Sequence, residues 1–329
     1  MPGQPVISSS PGVLSAGLQD AFFDTYIPTF ENTKARLSRI AEFIPSDKET
    51  ERFAFYESPP HAAIWRDGES VRRKGFKDQT WTVPVRDWGI AVDWSKNHRM
   101  DDQTRSLRQQ ADGAGTNMAL VDERVLVQII TAATDTNLLP SIPNSPDGLA
   151  LFSTSTRYGA SGGNTVTGSG VATSASIETD FYAAVARIMA FQDTEGQPLW
   201  DPSIFNQGFL VMAGSANIKE MNRAFKADAV PIGSSTATSN AAVSNVIQVG
   251  GYNVEVWLTP RITSNDWFVF ATGARRKPLV VLERQAIETH EGNMDNSDSA
   301  RATKIEYVQF DKRTGYGVAT PYAAVMVDN

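Results

Sequence analysis

Apolar positions recur most regularly between Asp101 and Thr136, where Leu107, Ala111, Ala114, Met118, Val121, Val125, Ile129 and Ala132 follow at steps of four or three. That spacing predicts a helix with one buried face. At about 1.5 Å per residue it would be on the order of 50 Å long. Asp101 and Asp102 suit its N-terminal cap, and Asn137 and Pro140 its stop. Gly113 and Gly115 each cost about 1 kcal/mol against alanine in a helix interior, so a bend is expected there. A second stripe, Ile177, Phe181, Val185 and Ile188, predicts a helix capped at Ser176 and stopped by Gly196 and Pro198. Further back, Phe22 to Phe43 carries apolar residues at mixed spacing, with a short helix expected around Lys34 to Glu42.

Elsewhere the period is two. In "QTWTVPVRDWGIAVDW", Trp81, Val83 and Val85 share one face, and then Trp88, Ile90, Val92 and Trp94 alternate in the other phase. A skipped beat beside Gly89 predicts a bulge. "ERFAFY" supplies a return strand, so residues 51–94 make a long hairpin whose tip carries Arg66, Arg72, Arg73, Lys74 and Lys77 among Asp67, Glu69 and Asp78. "GFLVMAGSANIKEMNRAF" predicts strand, turn and helix, with Ser215 as cap and Ile218, Met221 and Phe225 inward. "NVIQVGGYNVEVWL" predicts a hairpin turning on Gly250 and Gly251. Strands follow at "DWFVFA", "PLVVLER", "KIEYVQF" and "GYGVATPYAAVMV", with the acidic insert "ETHEGNMDNSDSA" between two of them.

Two segments break these patterns. Residues 1–20 are small, Pro- and Gly-containing and uncharged until Asp20, which predicts an extended arm. From Ser153 to Ser176 the chain is mostly Gly, Ser and Thr, which predicts a bare, mobile loop with nothing to bury. A second such loop is expected from Gly233 to Ser244.

Composition narrows the function. With 329 residues, 41% apolar and 20% charged, a sizeable core is expected. A net charge of −7 argues against a protein built to grip phosphate backbones. The absence of cysteine excludes disulfides, Cys-ligated zinc and thiol chemistry. The N-terminus lacks a signal-peptide pattern and no apolar run reaches about 20 residues, so a soluble protein used without export is expected.

Each candidate for chemistry meets a plainer explanation. His61, His98 and His290 are scattered and have no partner at metal-ligand spacing. "GASGGNTVTGSG" lacks the Lys-Ser or Lys-Thr of a phosphate loop and the strand–helix context of a dinucleotide site. Ser153, Ser155 and Ser161 show no nucleophile elbow. Asp101 and Asp102, and the acids from Glu288 to Asp298, could hold a cation but are explained as caps and solvated loop. Trp65, Trp81, Trp88 and Trp94 could stack on a ligand, yet on alternating strands tryptophan more often packs. No catalytic, cofactor or metal site is expected.

The order of elements resembles the major capsid fold shared by tailed bacteriophages and herpesviruses, and more narrowly the Mu-type major head subunit group. The residues carrying the likeness are "ESPPHAAIWRDGESVRRKGF", "TWTVPVRDWGIAVDW" leading to Asp101 and Asp102, "DGLALFST", and the C-terminal "FDKRTGYGVATPYAAVMV". The resemblance implies an α+β fold: an N-terminal arm and short helix (1–49), an E-loop hairpin and P-domain strand (50–97), a P-domain spine helix (98–140), an inserted α/β A-domain (141–272) and a return to P-domain strands (273–329). It implies a non-enzymatic subunit that builds pentamers and hexamers of an icosahedral head around double-stranded DNA, assembled in the host cytoplasm and residing in the virion. Its partners would be copies of itself, a scaffold, a portal and decoration proteins, with only weak, non-specific contact with DNA, no membrane and no cofactor.

A hairpin tip with five basic residues has little support within one subunit, because an isolated two-stranded hairpin is marginal in water. Trp65, Arg66, Asp67, Arg72, Arg73, Lys74 and Phe76 are therefore expected to contact a neighbouring copy. Lys74 and Lys77 lie where some relatives form Lys–Asn cross-links, but no partner motif matches. Because the arm begins only a few residues before the folded part, a separate scaffold is expected. Gly/Ser/Thr loops would let one chain fit both five-fold and six-fold rings. An encapsulin-like compartment shell is the alternative, and an α/β enzyme with a mobile lid a more distant one.

Overall fold

The computed structural model describes residues 11–56, 64–68, 70, 78–95, 106–133, 135–157, 161–170, 173–193, 195–201, 204–205, 208–226, 229–231, 242–244, 247, 251–294 and 296–329. In chain order the elements are α1 (Pro11–Leu37), β1 (Ala41–Pro45), β2 (Thr50–Tyr56), β3 (Asp78–Ser95), α2 (Ser106–Ala119), α3 (Val121–Thr131) and β4 (Thr165–Thr167). They continue with α4 (Ser174–Met189), β5 (Phe209–Ala213), α5 (Ile218–Lys226), β6 (Ala229–Pro231), β7 (Ala242–Ser244), β8 (Val254–Leu258) and β9 (Trp267–Ala271). Last come β10 (Leu279–Gly292), α6 (Asp298–Thr303), β11 (Ile305–Val318) and β12 (Ala324–Asp328). One sheet has the order β1-β10-β11-β3-β2 and the other β4-β12-β9-β5-β8, while β6 and β7 pair alone.

Burial explains the layering. In β5 every residue is buried, because Phe209, Val211 and Ala213 face the α4/α5 core while Leu210 and Met212 face α3. Helix α3 lies between the two sheets: Val125, Leu126 and Ile129 pack with Phe268 and Phe270 of one sheet and Leu279, Val281 and Tyr316 of the other. The earlier half of the same stripe, Leu107, Ala111, Ala114 and Met118, packs instead on α1 and on β3 and β11. Phe22 of α1 stacks on Phe310 of β11 with ring centroids 3.6 Å apart.

Several sequence expectations need correction. The stripe from Leu107 to Ile129 is buried apart from the half-buried Val121, but on two helices, and Ala132, expected to continue it, is exposed. The break falls at Leu120, where α3 begins, and not at Gly113 and Gly115, which lie inside α2. The end comes at Thr131, where Ala132 turns left-handed (φ 51°). The capping role of Asp101 and Asp102 lies outside the described residues. Residues 11–20 are helical, not an extended arm, and the short helix expected at 34–42 is the end of this 27-residue helix followed by β1. Leu14, Leu18 and Phe22 hold it against α2, so a segment poor in charge is stabilised by burial.

Strand β3 carries no bulge at Gly89: it pairs with β11 in unbroken register from Val85 to Ser95. Its phase change has another cause. Val83 packs with Val280 and Leu282, whereas Val92 and Trp94 join the helices, so the two ends of one strand are covered on opposite faces. The bulges lie in β10, beside Arg284 and between Gln285 and Glu288. Of the remaining expectations, α4 is capped by Thr173 with Ser176 completing the capping box, and Ile218 is 42% exposed while Met221 and Phe225 are buried. Strand β8 pairs with β5 in parallel, while Gly250 and the expected partner "NVIQV", apart from Ile247, lie outside the described residues. "KIEYVQF" and "GYGV" are one strand, β11, and the acidic insert spans the end of β10 and α6. Most of the loop expected at Gly233–Ser244 also lies outside the described residues; its last three form β7.

Candidate inter-subunit surface

From Val85 onward β3 is held on one side by β11, but between Asp78 and Pro84 its ladder partner is β2, from Tyr56 to Thr50. The hairpin therefore runs past the end of the β3–β11 ladder. Its base is anchored where Phe53 stacks on Trp81 at 5.0 Å and Val83 is 1% exposed. Its far end is the reverse. Ile64 is 88% and Trp65 67% exposed, the two highest values among the large apolar side chains described, and Arg66 and Asp67 beside them are exposed too. Asp67 and Gly68 form a turn, with Gly68 at φ +89°.

Of the seven residues expected to make contacts, the structure places Trp65, Arg66 and Asp67 together on this tip; Arg72, Arg73, Lys74 and Phe76 lie outside the described residues, as does Lys77. Ile64 was missed, although an isoleucine in an otherwise charged loop was a readable signal. Trp81, Trp88 and Trp94 pack as expected: Trp88 meets Tyr316 edge-on and Trp94 donates to Glu306 at 2.9 Å. His61 and His98 lie outside the described residues, while His290 is exposed beside Asp311 at 3.3 Å.

The Gly/Ser/Thr segment after Phe152 is not bare. Arg157 is 3% exposed, pairs with Asp147 at 2.6 Å, and donates to the carbonyls of Ala150 and Leu151 and to the Asn164 side chain. Asn164, fully buried, donates in turn to the carbonyls of Leu151, Pro321 and Ala324. Arg187 of α4 donates to the carbonyls of Ser161 and Gly163, and β4 pairs with β12. Burial lowers the Arg187 pKa from its ordinary value. Gly163 is required by close approach, since a Cβ there would lie 2.2 Å from the Ser153 carbonyl oxygen. The described residues of this segment are thus tied to the neighbouring strands and helix rather than bare, while residues 158–160 lie outside the described residues.

A pocket of about 440 Å³ lies between α1 and the bulged part of β10, lined by Tyr26, Phe30, Lys34, Glu283 and Lys312 among others. Its lysines are engaged: Lys34 with Glu283 at 2.5 Å and Lys312 with Asp122 at 2.8 Å. Burial first, then the Asp122 charge, raises the Tyr26 and Tyr316 phenols above their ordinary value. The Tyr316 hydroxyl donates to Asp122. Among the described residues no group of His, Asp or Glu is arranged to hold a metal, and no helix is long and apolar enough to cross a membrane.

A hairpin that runs past the end of one sheet, and a helical stripe packed partly between the two sheets, make an α+β fold. The solved structures agree: the chain is similar to the capsid of a native GTA particle (11% identity, 89% of each chain, TM-score 0.57). It is also similar to the capsid of the cyanophage P-SCSP1u (12% identity, 88% of this chain and 86% of that one, TM-score 0.53). A virus-like particle from Pyrococcus furiosus shows the same likeness (12% identity, 95% and 96%, TM-score 0.50). No curated protein matches the sequence. The family model for phage capsid protein matches residues 79–327, and the chain belongs to that family. It is a structural subunit of the phage head, not an enzyme.

Proposed function

We propose that the chain assembles with copies of itself into the pentamers and hexamers of an icosahedral head enclosing double-stranded DNA, as a member of the Mu-type major head subunit group. The observation that carries this reading is the hairpin, which is anchored at Phe53, Trp81 and Val83 and presents Ile64 and Trp65 to solvent. Burying two large apolar side chains on a neighbour gains about 1.5–3 kcal/mol each. Arg66, Arg72 and Arg73 would add bidentate pairs to carboxylates that lysine cannot make. Each exposed pair contributes less than about 1 kcal/mol alone, but the contact recurs around every ring. Trp65, Arg66, Asp67, Arg72, Arg73, Lys74 and Phe76 are the proposed contact residues.

In this reading residues 1–49 are the N-terminal arm and its helix, 50–97 the E-loop and P-domain strand, 98–140 the spine, 141–272 the A-domain, and 273–329 the return to the P-domain strands. A scaffold, a portal and decoration proteins are the proposed further partners. A compartment shell around protein cargo is a second reading, favoured by the likeness to the Pyrococcus furiosus particle. Negative-stain microscopy of the chain co-expressed with its scaffold tests the proposal: closed shells or capsomer rings are expected, and a uniform 36 kDa monomer would contradict it. Nuclease-protected DNA in native particles supports the head, and a protein cargo without DNA the compartment.

A further inference from the structure

Strands β1 and β10 enter their sheet side by side and in the same direction, Ala41 opposite Leu279, with the Leu279 amide donating to the Ile40 carbonyl. The residues just before them are therefore neighbours, and they are basic. Arg39 closes the turn after α1, and Arg275, Arg276 and Lys277 form the connection from β9 to β10. Arg36, in the last turn of α1, lies 4.5 Å from the Trp257 ring of β8, and Arg39 pairs with Glu255 two residues before that tryptophan. Five cations thus share one surface with two acids, Glu255 and Glu42, on a chain whose net charge is −7.

Two of the five cations are not used up internally. Arg275 and Arg276 are exposed and make no hydrogen bond or ion pair among the described residues. Lys277 donates to the Thr272 carbonyl at 2.5 Å. Burial first, and then the nearby Arg39 charge, lower its pKa from the ordinary value. Two free guanidinium groups beside a partly buried ammonium suit the oxygens of a phosphate backbone, and no pattern of base-reading groups accompanies them.

We infer that the surface formed by Arg36, Arg39, Arg275, Arg276 and Lys277 is a contact site for the phosphate backbone of duplex DNA, without sequence preference. The inference rests on the reading of the shell as a container for double-stranded DNA. It refines the expectation drawn from net charge: a mostly acidic wall lets DNA slide, and one local basic patch per subunit gives it a place to rest.

The test uses the full chain in four forms: wild type, Arg275→Ser/Arg276→Ser, the same pair with Lys277→Ser, and a control with Lys219→Ser/Arg223→Ser/Lys226→Ser on α5. Binding to a labelled duplex of about 20 base pairs is followed by anisotropy across about 50–200 mM NaCl, and shell formation is scored in parallel by microscopy on each form co-expressed with the scaffold. The slope of log affinity against log salt should fall by about 2 for the double variant and about 3 for the triple, since each phosphate contact contributes about 0.9. The control should keep the wild-type slope, and all four should form shells. An unchanged slope in the double variant, or an equal fall in the control, would overturn the site while leaving the head reading intact. Loss of shells in a folded double variant would make the patch a contact between copies and also overturn it. If the slopes behave as stated but wild type forms no shell, the phosphate site stands and the head reading falls.

Discussion

Asp122, in the first turn of α3, and Lys312, in the middle of β11, form an ion pair at 2.8 Å with each side chain 3% exposed. Tyr316 donates to the same carboxylate oxygen, and the Lys312 ammonium lies 5.4 Å from the Phe30 ring of α1. The junction of α2 and α3, strand β11 and helix α1 therefore meet at one carboxylate. Its place in the first turn of α3 also suits the helix dipole.

Removing one partner leaves a buried charge without compensation. Asp122→Ala should lose about 3–5 kcal/mol of stability in urea unfolding. Asp122→Leu combined with Lys312→Met should recover most of that loss, because an apolar pair avoids the desolvation cost. A double variant as unstable as the single would show that the pair itself is not the source.

The phenols give a base-side prediction. Tyr316 and Tyr26 have folded-state pKa values raised above the ordinary 10.0, by burial and then by Asp122. The folded state thus holds its protons where the unfolded chain releases them. Their contribution to stability is complete below about pH 10 and is lost as pH rises above it. Melting temperature should fall more steeply between about pH 10 and 11 for wild type than for Tyr316→Phe, and equal slopes would contradict this.

Gly113 and Gly115 lie two residues apart in α2 but have different surroundings. A Cβ on Gly115 would lie 2.4 Å from the Phe22 carbonyl oxygen and 2.3 Å from the Thr25 hydroxyl, whereas one on Gly113 would meet nothing within 4 Å. Thr25 also donates to the Asp112 carbonyl at 3.0 Å, so α1 and α2 cross backbone to backbone. Gly113→Ala should stabilise by up to about 1 kcal/mol. Gly115→Ala should destabilise and speed amide exchange in α1, which hydrogen exchange would show. Identical effects of the two would count against this crossing.

Asn164 offers the matching test for the Gly/Ser/Thr segment. Asn164→Leu takes this donor from the Pro321 and Ala324 carbonyls, while the Leu151 carbonyl keeps Arg157, and should cost about 2–6 kcal/mol, since each buried group left unpaired costs about 1–3. Amide exchange should rise in β4 and at its pairing with β12. A variant with wild-type stability and exchange would restore the picture of a loosely held loop.

These cases show where sequence was informative. The stripes of α4 and of α2–α3 were legible because burial on one helix face follows a period carried by the helix itself. The break at Leu120 was not, because neither glycine, proline nor a side-chain cap marks it. Arg157 and Asn164 were overlooked because their partners are backbone carbonyls together with side chains at irregular spacing, Ser145, Asp147 and each other, which leave no pattern to read. The phase change in β3 was visible and misassigned: a bulge and a strand covered on opposite faces at its two ends produce the same alternation. At the hairpin, charge and period two located the tip, and the exposure of Ile64 required the structure.

The most direct measurement is sedimentation of assembled material from wild type and from a variant carrying Trp65→Ser, Arg66→Ser, Arg72→Ser and Arg73→Ser, each co-expressed with the scaffold, with circular dichroism on the unassembled chains. Wild type should sediment as shells, and the variant should keep the wild-type spectrum and melting temperature yet remain as free subunits or small rings. Normal shells from the variant would contradict the claim that this tip joins one subunit to the next, and so would collapse of the subunit itself.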